Sequence, residues 1–131
     1  MKKTGLLNSA LSEAIASLGH QDALVIGDAG LPIPEGPRRI DLAVAPDVPS
    51  FEHVLRATLS EMQVERVMLA DETLRVSPQI ARLVTELLPD TPIEYLPHET
   101  LKRHTGTARA MVRTGEFTPY ANVILIAGVV F

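Results

Sequence analysis

Residues 23–30 read Ala23-Leu24-Val25-Ile26-Gly27-Asp28-Ala29-Gly30. The first four form a continuous apolar run, the pattern of a strand buried on both faces in a helix-covered, largely parallel sheet. A carboxylate follows directly, between glycines. In open α/β sheets ligands bind outside the carboxyl ends of the strands, and glycines let them approach the backbone closely. Taken alone, Asp28 serves as readily as an Asx-turn or helix-cap residue. Leu31 to Pro37 is rich in proline, so the loop is conformationally specified.

Working outward, the same alternation of strand-sized runs and helical periods continues. Asn8-Ser9 caps a helix carrying Leu7, Leu11, Ala14, Ile15 and Leu18, with Gly19 as its C′ stop. Ile40 to Val44 reads as a second strand. Ser50 caps a helix with Phe51, Val54, Leu55, Thr58, Leu59 and Met62 on one side. Arg66 to Ala70 is a third strand. Ser77 then places a capping side chain before Pro78 at a first helical position, opening a helix with Ile80, Leu83, Val84 and Leu87. Ile93 to Leu96 is a short strand, and 97–113 reads as one or two helices broken near Gly106. Asn122 to Phe131 is a last strand with Gly128 at a bulge. The expected fold is a three-layer α/β/α domain with a mostly parallel sheet. A loop, not a long crossover helix, precedes the last strand, so that strand is expected to run antiparallel.

Composition narrows the function. A length of 131 residues suits one domain over 1–131. The net charge of −4, from 12 basic and 16 acidic residues, argues against a nucleic-acid partner, which would need clustered Lys and Arg. Aromatics at 4% and no tryptophan leave no base-stacking platform. No apolar run approaches the ~20 residues of a membrane-spanning helix. The absence of cysteine excludes thiolate chemistry and disulfides and fits a reducing cytosol. The histidines lack zinc-ligand spacing, and neither a nucleotide fingerprint nor a nucleophile elbow is present. No metal or nucleotide site is therefore expected.

Four places carry groups suited to acid/base or hydroxyl chemistry. His20 follows a helix C-terminus, where carbonyl dipoles favour a protonated ring; a lone histidine there is also a common polar cap. Asp28 stands at the end of the first strand. His98 and Lys102 are four apart and share a face if helical, though such faces usually just meet water. Tyr120, Ala121 and Asn122 lead into the last strand. If extended, that segment points Tyr120 and Asn122 to one side, and a phenol and a carboxamide both donate to and accept from sugar hydroxyls.

These stretches together resemble the ribose pyranase and fucose mutarotase family, its ribose pyranase branch in particular. The resemblance rests on Met1-Lys2-Lys3-Thr4-Gly5-Leu6-Leu7-Asn8, Leu18-Gly19-His20, Asp28-Ala29-Gly30-Leu31-Pro32-Ile33-Pro34, Arg39-Ile40-Asp41-Leu42-Ala43, Arg113-Thr114-Gly115-Glu116 and Pro119 to Leu125. It spans essentially the whole chain. It implies a cofactor-free isomerase of free sugars, linked to ribose uptake and catabolism, that interconverts the pyranose and furanose forms of D-ribose. It implies His20 as the catalytic acid/base, with Asp28, His98, Tyr120, Ala121 and Asn122 as substrate contacts and Lys102 as a further one. It also implies cytoplasmic homo-oligomers, pentameric rings stacked to decamers, with sites at subunit clefts. Two other readings compete. One is a receiver-like signalling module using Asp28, Asp71 and Lys102, although the adjacent acidic pair that magnesium favours is missing. The other is a non-catalytic sugar-binding subunit.

Overall fold

A computed structural model describes residues 1–131. The order of elements is α1 (Ser9–Ser17), β1 (Ala23–Gly27), β2 (Arg38–Asp41), α2 (Phe51–Leu59), β3 (Val64–Ala70), α3 (Asp71–Val76), α4 (Pro78–Leu87), β4 (Ile93–Leu96), α5 (His98–Thr105), β5 (Ala110–Arg113) and β6 (Val123–Ala127). All six strands form one sheet in the order β2-β5-β1-β6-β3-β4. β1, β2 and β5 are parallel, as are β3 and β4, while β6 runs antiparallel to both its neighbours, β1 and β3. The expected α/β sheet with one reversed strand is what forms.

Alternation along the strands divides the core in two. Leu24, Ile26, Val67, Leu69, Val123 and Leu125 pack against buried residues of α1, α2 and α4. Val25, Met68, Ile124, Ile126 and Met111 pack on the other face with Leu101 of α5. The sheet is thus sandwiched between helical layers, and its central strands are buried on both faces, as their unbroken apolar runs require. Local signals work as read at two helix starts. Asn8 Oδ1 accepts from Leu11 N–H at 2.9 Å, and Ser50 Oγ from His53 N–H at 3.2 Å.

Several expectations are corrected. Ala110 to Arg113 is not helical; it is β5, inserted between β2 and β1. Four residues are too few for period to separate a strand from a last helical turn. β2 lies two residues earlier than expected and is polar because it is an edge strand. β6 ends at Ala127, and Val130 and Phe131 are exposed. α3 carries no separate start signal in the sequence, since it follows β3 without a break. Gly19 is not a left-handed stop; the left-handed residue of that turn is Gln21, with φ 68°. The bulge lies in β3, between Val64 and Arg66, rather than at Gly128. Ser77 makes no cap bond; its hydroxyl, buried, donates instead to the Pro119 carbonyl at 2.6 Å.

The segment between β5 and β6 is pinned by Gly115. Its N–H donates to Pro49 O at 2.8 Å and its carbonyl accepts from Asp47 N–H at 2.6 Å. A Cβ added at Gly115 would stand 2.6 Å from the Ala45 carbonyl oxygen, backbone that has little room to yield. Gly115→Ala should therefore cost about 1–3 kcal/mol, the usual range for overpacking. Urea denaturation measures it, and an unchanged midpoint would contradict the contact.

Candidate functional site

β6 is reversed, so the segment before it sits at the same sheet edge as the carboxyl ends of β1, β3 and β4. A cavity of about 250 Å³ opens there, lined by Asp28, Gly30, Leu31, Pro32, His98, Pro119, Tyr120 and Asn122. A second, of about 400 Å³, adjoins it through Asp28, Gly30 and Pro119 and extends over Arg113, Glu116 and Thr118. Four of the expected substrate contacts thus meet at one cavity, brought from three distant points of the chain.

Each is held by a bond the sequence does not advertise. Asp28 is clamped by Asn122, whose Oδ1 accepts the Asp28 N–H at 2.9 Å and whose amide also bonds the carboxylate. Asp28 Oδ1 accepts from Gly30 N–H at 2.9 Å. Gly27 leaves room next door, since an added Cβ would lie 2.6 Å from Leu31 Cδ2 and 3.1 Å from Asn122 Oδ1 and would press on both. His98 begins α5 after Pro97, which has no side chain to cap it; Glu72 of α3 accepts the His98 N–H instead, at 2.8 Å. The His98 ring meets Tyr120 edge-on, centroids 5.0 Å apart and planes at 83°. Its Nδ1 is buried without a partner, an uncommon state for a buried polar atom and one that a ligand hydroxyl would relieve. Tyr120 is left-handed, with φ 60°. Its carbonyl accepts from the Thr73 hydroxyl at 2.9 Å, one turn of α3 before Ser77, which holds Pro119.

This corrects the expected extended conformation at Tyr120. Tyr120 and Asn122 reach one cavity through a turn rather than by strand alternation. Asn122 is only 2% exposed and Ala121 fully buried; Asn122 lines the cavity while holding Asp28, and Ala121 has only its backbone to offer. Lys102 does share the α5 face, but it pairs with Glu99 at 2.8 Å and does not line the cavity. Asp71, which a receiver-like module would set beside Asp28, opens α3 and does not line it either. No three metal-ligating side chains cluster anywhere.

His20 lies elsewhere. It precedes β1 while Asp28 follows it, and at about 3.3 Å per residue that strand spans about 16 Å. The ring is exposed at the opposite sheet edge, with Nε2 2.8 Å from Glu65 Oε2. The contacts of Glu72, Thr73, Glu65 and Ser77, the last read from the sequence only as a helix cap, are not visible in the sequence, because each reaches a partner far along the chain.

The model of the RbsD / FucU transport protein family matches residues 1–130, and the chain belongs to that family. The D-ribose pyranase of Chloroflexus aggregans is 60% identical over 131 residues, with both chains covered in full. The solved structure of Bacillus subtilis RbsD complexed with D-ribose matches with a TM-score of 0.97 at 48% identity, each chain covered in full. The fucose mutarotase of Streptococcus pneumoniae, solved in complex with L-fucose, matches with a TM-score of 0.80 at 25% identity, again over both whole chains.

Burial raises the Asp28 carboxyl above the ordinary aspartate range; the bonds from Gly30, Asn122 and Leu31 and the nearby His98 oppose this without cancelling it. The folded chain therefore holds this proton more tightly than the unfolded chain. Between the ordinary value of about 3.9 and the raised midpoint, the Asp28 contribution to stability falls as pH rises, and above that midpoint its full cost is present. A carbon-13 titration of the Asp28 carboxyl should give a midpoint above the ordinary value; one at or below it would contradict the buried setting.

Proposed function

We propose that the chain, acting as one domain, is a D-ribose pyranase that interconverts the six- and five-membered ring forms of free ribose. The observation that carries this is the cavity itself. Asp28, His98 and Tyr120 converge at the carboxyl strand ends and line it together, a set of polar side chains suited to a hydroxyl-rich ligand. The likeness in sequence and fold to the ribose-bound Bacillus subtilis protein supports the same reading.

The chemistry needs only proton transfers. In the pyranose the bond between C1 and the ring oxygen breaks as an acid protonates that oxygen and a base, water included, takes the anomeric hydroxyl proton. The open aldehyde recloses through the hydroxyl one carbon nearer, with the protons returned. Asp28 accepts from a sugar hydroxyl, and His98 and Tyr120 fix others. His20 supplies the acid. It is too far from its own chain's cavity, so it works on the cavity of an adjacent subunit. The working form is then a homo-oligomer, a pentameric ring stacked to a decamer, and the enzyme is cytoplasmic and free of cofactors. A ring built head to tail repeats this one contact at every cleft.

Saturation-transfer NMR on equilibrated ribose reads the exchange directly. The protein should accelerate it, and His20→Ala should lower the catalysed rate by ~10²-fold or more, the usual worth of a positioned acid, while ribose still binds and the assembly keeps its mass. Binding without acceleration by the unsubstituted protein would make it a sugar-binding subunit. Unchanged exchange in His20→Ala would remove His20 from the reaction.

A further inference from the structure

The edge of the sheet opposite the cavity carries a constructed polar pair. Val64 of β3 faces Ala127 and Arg66 faces Ile126, so Glu65 is the extra residue of a bulge. A bulge re-aims the side chain it leaves unpaired, and here the carboxylate is turned onto His20, its Oε2 2.8 Å from Nε2. The position is specified from both sides. Gly128 packs against the bulge; its N–H donates to Gln63 O at 3.0 Å, and an added Cβ would lie 3.0 Å from Glu65 Cβ. The turn bearing His20 is tied down as well. Asp22 accepts from Gly19 N–H at 2.8 Å and from Arg109 Nε at 2.9 Å, and Gln21 N–H donates to Ala127 O at 2.8 Å.

We propose that Glu65 is a positioning residue that holds His20 by Nε2 and thereby makes Nδ1 the atom that exchanges protons with the sugar. This rests on the reading of His20 given above. An ionised carboxylate only accepts hydrogen bonds, so it requires a proton on Nε2 in every state of the ring. The imidazolium then gives its Nδ1 proton to the ring oxygen as the bond to C1 breaks. On reclosure the attacking hydroxyl returns a proton to Nδ1, while Nε2–H never leaves Glu65. The carboxylate also restricts ring rotation, so the acid is already aimed when the sugar arrives.

The isosteric Glu65→Gln separates this from a merely structural role. Glutamine keeps the size and the bulge but can turn either its carbonyl oxygen or its N–H₂ to Nε2, so the Nε2–H tautomer is no longer enforced. Exchange kinetics on ribose should show kcat reduced about 10–100-fold, the usual cost of losing an orienting partner, with KM and assembly mass unchanged. Nitrogen-15 NMR of the His20 ring should give the Nε2–H tautomer in the unsubstituted protein and a shift away from it in Glu65→Gln. Unchanged kcat in Glu65→Gln beside an inactive His20→Ala would overturn the role of Glu65 alone. Full activity in His20→Ala would overturn the reading beneath it. A neutral His20 protonated at Nδ1 in the unsubstituted protein would overturn the proposal even if the variant failed to assemble.

Discussion

β5 and β6 flank β1 on opposite sides, so the segment 114–122 has to cross the carboxyl end of β1. Neighbouring parallel strands need long crossovers, whereas a reversed strand can follow a short connection. The crossing is then stitched to what it passes over. Thr114, fully buried, donates to the Gly27 carbonyl through both its N–H, at 3.0 Å, and its hydroxyl, at 2.8 Å. Ala29 N–H reaches the Glu116 carbonyl at 2.9 Å. At the far end Asn122 takes the Asp28 N–H. The Asp28 carboxylate is thus set by where the chain must travel, and the cavity is the space the crossing leaves over the ends of β1 and β4 and the start of α5.

That arrangement keeps several groups in states they would not choose alone. A half-buried carboxylate is held ionisable by three hydrogen bonds that do not fully offset its burial. Tyr120 adopts a left-handed backbone, a cost on the order of 1–2 kcal/mol for a residue with a Cβ. Both are over-determined by their surroundings, with Thr73 and Ser77 gripping successive carbonyls at 119 and 120. Strain that persists because neighbours enforce it is characteristic of ligand sites. It also explains the six-residue α3, whose Glu72, Thr73 and following Ser77 all serve the cavity.

What the sequence makes legible is what depends on neighbouring residues. The unbroken apolar runs of β1, β3 and β6 mark the doubly covered centre of the sheet, and the caps at Asn8 and Ser50 and the proline at 78 locate helix starts. The reversal of β6 follows from the lack of a crossover helix. β5 is hidden because four residues carry no period, and β2 because an edge strand needs no apolar run. The bulge at Glu65 and the bond between Asn122 and Asp28 are invisible because they exist only after distant strands pair. At the site, the motifs single out Asp28, His98, Tyr120 and Asn122, which the fold brings to one cavity, yet they do not show that Asn122 also bonds Asp28. The separation of His20 from Asp28 is legible too, because the apolar strand at 23–26 lies between them.

That separation makes the proposed composite cleft the centre of the account. It is tested by co-assembling His20→Ala subunits with Asp28→Asn subunits, each of which is expected to be inactive by itself. Where an Asp28→Asn subunit lends its intact His20 to the intact cavity of a His20→Ala neighbour, a working cleft is restored. Random rings with one head-to-tail contact should regain about a quarter of the wild-type exchange rate. A mixture no faster than the sum of its inactive parents would contradict the composite cleft and return the acid to some group within a single chain.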